Sequence, residues 1–599
     1  MSTPPSLHDR ADFDNAERGF VAALTPGVIK AADGRVVWNS DAYAFLDGPC
    51  PDTANPSLWR QGQLCSKQGL FQVADGIYQV RDLDLSNISF IEGDAGVIVI
   101  DPLISTECAA AALSLYREQR GDRPVTAVIY THSHGDHFGG VRGVVPDGAD
   151  IPIIAPAGFL EHAVSENVYA GTAMTRRAVY LYGAELERGP AGQIGTGLGI
   201  TTSTGTISLI PPTVNITRTG QEEVVDGVRI VFQLTPGTEA PSEMNFYLPD
   251  SRALCAAENA THNLHNLLTL RGAVVRNPHV WARYLTETIE LFGGRTDVLF
   301  ASHHWPTWGQ QQIKTFLTQQ RDLYAFLHDQ TLRFLNQGYT GIEIAEMMRL
   351  PPPLEQAWNT RGYYGSVSHN VKAIYQHYMG WFDGNPAHLW ELPPVEAAIK
   401  HVEYMGGADV IIEKVTAEQD NPRWAAQVLN YIVFADPGNT HARELLAGVY
   451  ESLGHGAENG TWRNFYLQGA EELRGNMAKT KIDTTNPDMS MALSVGQVFD
   501  SLAIRVNGPK AWDKNVSIDW NFTDLNKQVR LELSNGALIQ TAPNDEPAQL
   551  RLTLTKPALL RMLATQRLDG ITADGNQQAL ATLIDLLDTP EKDFPIVTP

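Results

Sequence analysis

The 599-residue chain predicts a layered α/β domain, then an all-helical region, then a small α+β domain. Three patterns carry that reading. Between residues 71 and 301, short apolar and β-branched runs alternate with turns and one Ala/Leu-rich helical stretch, the rhythm of packed α/β layers. From about residue 313 to 473, apolar residues recur at helical spacing. After residue 489, apolar and polar residues alternate, as in half-buried antiparallel strands.

Length alone allows roughly three or four domains of about 100–200 residues each. The 43% hydrophobic and 19% charged content belongs to a globular chain, not a disordered one. A formal charge of −23 argues against nucleic acid or an anionic membrane surface as the general partner. An anionic substrate would therefore need a local cationic site. No run approaches the ~20 apolar residues of a membrane span. The first ten residues have no basic start followed by an apolar stretch, so a cytoplasmic protein is expected, or a secreted or periplasmic one if a precursor has been trimmed. Cys50, Cys65, Cys108 and Cys255 show no zinc-ribbon or redox spacing, and only Cys50 and Cys65 lie near each other in sequence.

Taken in order, residues 1–64 are polar, Pro-rich and irregular, and read as an N-terminal arm with an anchoring turn at 55–60. Strands are expected at 76–80, 86–93 and 96–102, the last apolar and ending in Asp101-Pro102. A helix over 109–120 leads through Pro124 into a buried strand at 125–130. The Gly/Thr/Ser-rich stretch 189–205 lacks the lysine of a phosphate loop and reads as a flap or a surface loop. Further strands are expected at 228–234, 245–248, 253–256 and 296–301. Ile313, Phe316, Leu317, Leu323, Phe326, Leu327 and Leu332 form a helical stripe that Gly338 can end. Residues 424–450 have the small/large pattern of a helical hairpin, which must pack on neighbours or on a second subunit. A polar linker at 477–488 precedes strands near 516–522 and 529–533, an Asn535-Gly536 turn, and helices near 556–564 and 577–587.

The chemistry concentrates in Thr131-His132-Ser133-His134-Gly135-Asp136-His137-Phe138-Gly139-Gly140, which follows the 125–130 strand. Imidazole and carboxylate are the ligands that zinc and similar divalent ions take. A lone pair of loop histidines is ordinarily solvated, but His-x-His-x-Asp-His after a buried strand is a metal site, with two ions expected rather than one. In an extended loop His132 and His134 point to one side, and Asp136 and His137 can aim at a second position. Two ions need more ligands. Glu239, Glu258 and His303 each stand just past an apolar strand, where active sites of layered α/β proteins collect. His304 competes with His303 for the last role.

These residues resemble the metallo-β-lactamase superfamily and, more finely, its alkylsulfatases, the enzymes that hydrolyse dodecyl sulfate and related alkyl sulfate esters. The resemblance covers nearly the whole chain. It rests on residues 55–59, 131–140, 237–239, 257–258, 265–266, 269–273, 301–303 and 403–409. It implies a metallo-β-lactamase αββα sandwich at 65–372, an all-α dimerisation domain at 373–476, and a C-terminal α+β sterol-carrier-like domain at 489–599. It also implies a homodimer and two zinc ions per subunit. His132, His134 and Glu239 would hold one zinc, Asp136, His137 and His303 the other, with Glu258 touching both. Asn266 and Arg271 would grip the sulfate, and Arg276 would stabilise departing sulfate by charge.

Water between two zinc ions becomes hydroxide near neutral pH, since the ions lower its pKa to roughly 7. The expected reaction is hydrolysis of a small amphiphilic sulfate ester, with that metal-bound hydroxide as nucleophile and C–O cleavage. Tyr169, Tyr180, Tyr182, Trp281, Tyr363 and Tyr364 are available for an alkyl groove. The C-terminal domain would recruit the amphiphile. The alternatives are another binuclear hydrolase, lactonase- or thioesterase-like, and a metal-stabilised lipid-binding protein.

Overall fold

The structure is a computed structural model that describes residues 5–418, 420–480 and 487–599. Residues 1–4 of the opening segment and 481–486 of the expected linker lie outside the described residues. The chain forms two compact units, one of residues 1–159, 174–482 and 593–599, the other of residues 160–173 and 483–592. Among the described residues, no helix is long and apolar enough to cross a membrane.

Two sheets, of eight and six strands, build the first unit. Val97–Ile100, Val125–Ile129 and Ile153–Pro156 run parallel in the larger sheet, each buried on both faces as near-continuous apolar sequence requires. In the smaller sheet Val228–Leu234, Met244–Leu248 and Ala253–Cys255 form a meander, and Val298–Phe300 adds in parallel to Ala253–Cys255. Ile98, Ile100, Ala127 and Ile129 from one sheet meet Phe232, Phe246, Cys255 and Phe300 from the other in one core. Helices Pro278–Thr288 and Gln310–Leu335 cover the smaller sheet, where Trp281 stacks on Tyr324 with ring centroids 4.4 Å apart. This is the expected αββα sandwich.

Strand polarity explains where the chemistry sits. Val228–Leu234 is antiparallel to Met244–Leu248, which is antiparallel to Ala253–Cys255, so the first and third run the same way as Val298–Phe300. Their C-terminal ends therefore reach the same edge. Residues 239, 258 and 303 follow those ends.

Two expectations change. The N-terminal arm is not irregular. Phe20–Ala22 pairs with Gly69–Ala74 as the edge of the eight-stranded sheet, and Pro56–Cys65 is a helix capped by Asn55. Elements of three to ten residues are too short to show a period. The 189–205 stretch is not a surface loop, because residues 193–203 are buried. A Cβ on Gly197 would lie 2.4 Å from the Tyr363 carbonyl oxygen and one on Gly199 2.3 Å from that of Leu85, so the glycines permit close internal packing. Cys50 and Cys65 are free thiols.

The helical part follows within the same unit. Val367–Met379 is one helix across the division expected at 372/373. The expected hairpin is Pro422–Ala435 with Thr440–Gly456, which packs with Gly460–Leu473. The second unit has a five-stranded sheet whose Val516–Phe522, Lys527–Ser534 and Ala537–Thr541 strands match the expectation. Its core gathers Trp520, Phe522, Leu531, Leu552 and Phe499. Residues 160–173 join it, and Val164, Val168 and Tyr169, with Leu493, Val498, Leu560 and Leu563, line an apolar cavity of about 660 Å³.

Candidate metal centre

The 131–140 loop is held in place by packing that only glycine allows. A Cβ on Gly139 would lie 2.2 Å from the Ile104 carbonyl oxygen, and one on Gly140 2.1 Å from that of Pro102. The loop is thereby pressed onto the turn after Val97–Ile100. Asp101, at that turn, accepts hydrogen bonds from the Thr131 backbone N–H (2.8 Å), Thr131 Oγ1 (2.7 Å) and Ser302 Oγ (2.8 Å), and lies 3.1 Å from His137 Nδ1. One buried carboxylate thus ties the motif loop to the loop that carries His303.

Seven side chains converge from four loops. His132, His134, Glu239 and Glu258 form one group and Asp136, His137, Glu258 and His303 a second, each with its ligand atoms within 4.8 Å of one another. Glu258 is shared. Its Oε2 lies 3.3 Å from His132 Nε2, 3.3 Å from His137 Nε2 and 3.3 Å from His303 Nε2. Glu239 Oε2 is 2.8 Å from His134 Nδ1 and 3.3 Å from His132 Nε2, and Asp136 Oδ2 is 3.1 Å from His137 Nε2.

Two observations test whether a metal suits these residues. His132 Nε2, His137 Nε2 and His303 Nε2 are buried with no hydrogen-bond partner among the described residues, which is costly unless something binds them. Spacings near 3.3 Å are also the edge of a tetrahedron with metal–ligand bonds of about 2.0–2.1 Å. The opposite atom of each group is anchored. His132 Nδ1 meets Thr131 Oγ1 at 3.0 Å and His303 Nδ1 meets the Leu85 carbonyl at 3.1 Å. Glu258 Oε1 meets His265 Nε2 at 2.9 Å, and Glu239 Oε1 pairs with Arg276 Nη2. Orientation of ligands by such outer contacts is characteristic of metal sites. The residues fit a pair of divalent ions.

His304 plays no part in either group. Its Nδ1 accepts from the His262 backbone N–H at 2.9 Å, and its Nε2 lies 2.9 Å from the Gly197 carbonyl. The backbone at His304 is left-handed (φ 63°).

Arg276 sits differently from a free anion-binding arginine. It is buried, with Nε donating to the Glu239 carbonyl, Nη2 to Glu239 Oε1, and Nη1 to Asn266 Oδ1 at 2.6 Å. Burial would raise the Glu239 carboxyl, but the Arg276 and His134 charges beside it bring it well below the usual range. Glu243 is buried next to it, and four O–H and N–H donors converge on its two oxygens. Arg271 Nη1 donates to the Gly272 carbonyl at 3.0 Å and touches Met174 Sδ at 3.7 Å. Asn266 Nδ2 is buried and has no acceptor among the described residues.

Family models cover this framework. The one described as Metallo-beta-lactamase superfamily matches residues 81–303, and those described as Alkyl sulfatase dimerisation and Alkyl sulfatase C-terminal match 340–476 and 483–599. A linear primary-alkylsulfatase of Pseudomonas sp is 48% identical over 99% of this chain and 90% of its own length. The chain belongs to the alkylsulfatase family.

An alkyl/aryl-sulfatase of Saccharomyces cerevisiae is 46% identical over 99% of this chain and 94% of its own length. The solved structure of the stereoselective inverting sec-alkylsulfatase Pisa1 from Pseudomonas sp. matches with a TM-score of 0.95 and 43% identity, covering 100% of this chain and 99% of that one. In this alkylsulfatase, Tyr364 packs edge-on against His265 at 4.9 Å, and its hydroxyl lies 3.3 Å from that of Tyr182. Of the aromatic residues available for a groove, Tyr364 and Trp281 pack on His265, Trp281 with ring centroids 5.7 Å apart, and Tyr182 joins through Tyr364. Trp281 is buried against Tyr324, and Tyr180 bonds Glu472. Sequence reasoning assigned no role to Asp101, Glu243 or His265. Asp101 had a signal, an apolar run ending in Asp-Pro, whereas Glu243 had none.

Proposed function

We propose that this chain hydrolyses alkyl sulfate esters to an alcohol and inorganic sulfate, using two zinc ions per subunit. The observation that carries the reading is the pair of four-residue ligand groups sharing Glu258. His132, His134 and Glu239 would hold one ion, Asp136, His137 and His303 the other, with Glu258 contacting both. When bound, the two zinc ions would lower the pKa of water to about 7 and so supply the nucleophile.

The chain's own groups handle the substrate. Asn266 presents a buried N–H₂ in want of an acceptor, which supports a sulfate oxygen there. Arg271 offers a planar, permanently charged fork for the same headgroup. Arg276, anchored on Glu239 and Asn266, places a positive charge beside that oxygen and stabilises sulfate as it leaves. Attack at carbon, with C–O cleavage, follows the family reading. The cavity of about 660 Å³ in the second unit is within the range of small-molecule sites and supports the sterol-carrier-like reading, in which that domain gathers the amphiphile's tail.

The test is a sulfate-release assay on dodecyl sulfate, a secondary alkyl sulfate and ethyl sulfate, before and after chelation. Release should stop on chelation and return with zinc, KM should be lowest for dodecyl sulfate, and in ¹⁸O-water the label should enter the alcohol. Turnover of a lactone or thioester with no sulfate release would overturn the proposal, and label in the sulfate would overturn C–O cleavage.

A homodimer is part of the same proposal. Trp390, Tyr404 and Trp381 are 97%, 86% and 77% exposed on the helical region that the dimerisation model matches, an apolar display suited to a second copy. Sedimentation should give the mass of two chains, and a one-chain mass would contradict it.

A further inference from the structure

We infer that Glu243 is a positioning residue that sets the distance between the two carboxylates on which both halves of the metal centre depend. The inference rests on the metal reading given above and adds to it a residue outside both ligand groups. Glu243 is fully buried. Its Oε2 accepts hydrogen bonds from Thr238 Oγ1 (2.7 Å), the Glu239 backbone N–H (3.1 Å) and the Ala240 backbone N–H (3.2 Å). Its Oε1 accepts from the Glu258 backbone N–H at 3.2 Å. One rigid carboxylate therefore spans the two loops that carry Glu239 and Glu258, each oxygen committed to one loop.

The backbone of the same residue reaches the third ligand segment. Glu243 stands opposite His132 in an isolated antiparallel bridge, and the next residue, Met244, donates to the Thr131 carbonyl at 3.0 Å. The Glu243 carbonyl accepts from the Thr235 N–H at 2.9 Å, closing the turn that ends in Glu239. The motif loop, the 235–240 turn and the 257–258 corner thus meet at this residue. Ala257 adopts left-handed backbone (φ 47°), a conformation that a non-glycine residue holds only when its surroundings enforce it. The bond from the Glu258 N–H to Glu243 is one such restraint. Outer contacts of this kind typically change metal affinity by about 10–100-fold when removed.

Glutamine is the informative replacement, because it keeps the shape and only one acceptor oxygen. In Glu243→Gln, one of the two loops must face an N–H₂ where it had an oxygen. Dialysed full-length protein is titrated with Zn²⁺ against a chromophoric chelator. The wild type should take two ions per chain, and E243Q should bind at least one of them about tenfold more weakly or worse. In steady state, kcat for dodecyl sulfate, referred to the folded fraction measured by circular dichroism, should fall and be restored in part by excess Zn²⁺, which a general loss of folded protein would not show.

Two equal sets of binding constants, wild type against E243Q, would overturn the role of Glu243 while leaving the metal reading intact. A wild type that takes up no zinc would overturn the metal reading itself. If E243Q does not fold, Thr238→Val removes one donor from Oε2, together with the hydroxyl's bond to the Thr235 carbonyl, without changing shape. It should then weaken one of the two binding steps several-fold and spare the other, and unchanged constants for both would equally refute the inference.

Discussion

Glu258→Gln is expected to empty the metal centre and to lower kcat/KM for dodecyl sulfate by at least about a thousandfold, because a single oxygen serves both ligand groups. Glu258 Oε2 lies 3.3 Å from a ring nitrogen of each of His132, His137 and His303. Its other oxygen is held 2.9 Å from His265 Nε2. An amide in its place has one weak acceptor oxygen and one N–H₂. Whichever way it turns, either the ligand position or the His265 contact is lost. Loss at any other ligand would touch one group, and loss here touches two. Metal content after desalting and sulfate release are the two measurements. A variant that kept both ions and stayed within tenfold of wild-type turnover would remove Glu258 from the bridging position.

Arg276→Ala should show the largest effect on stability. Arg276 and Glu239 are both buried, and the guanidinium answers the Glu239 carboxylate, the Glu239 carbonyl and the Asn266 side chain together. Removing one partner of a buried pair strands the other and costs about 3–5 kcal/mol. Lysine should recover only part, because a single ammonium cannot reproduce the fork that spans Glu239 and Asn266. The pH dependence has a definite sign. The folded-state pKa of Glu239 is depressed, so its contribution is fully present above the unfolded value of about 4.3 and is lost as the pH falls through the lower folded value. Thermal melts of metal-free wild type and R276A should therefore lie furthest apart at neutral pH and converge below about pH 4. A constant gap down to pH 3 would mean that the pair is not what Arg276 contributes. Zinc content of R276A separates two roles. If Arg276 only assisted departing sulfate, both ions would stay bound with kcat lowered; if it holds Glu239, zinc affinity falls as well.

Much of this was legible in the linear chain because strand and helix leave a period, and ligand-type residues after apolar runs mark strand ends. The strands at 125–129, 228–234 and 298–300 announced themselves by composition, and His132, His134, Asp136, His137, Glu239, Glu258 and His303 stand where strand ends should. The N-terminal segment did not announce itself, since Phe20–Ala22 is too short to show alternation and gains its place by pairing with Gly69–Ala74. The 189–205 stretch misled for a related reason. Glycine marks both mobile surface and tight interior approach, and only the carbonyl oxygens of Tyr363 and Leu85 lying against Gly197 and Gly199 tell them apart.

By itself, then, the sequence determined the layered α/β class, the helical and α+β regions that follow, and the seven ligand-type side chains that gather in two candidate metal-binding groups. Those depend on period and on residue type, which are local properties. Tertiary structure alone decided that Arg276 rests on Glu239 and that Asp101 and Glu243 hold the ligand loops together. Each of these is a contact between side chain and loop set by how the sheets bring distant strand ends to one edge, and no spacing along the chain encodes that distance.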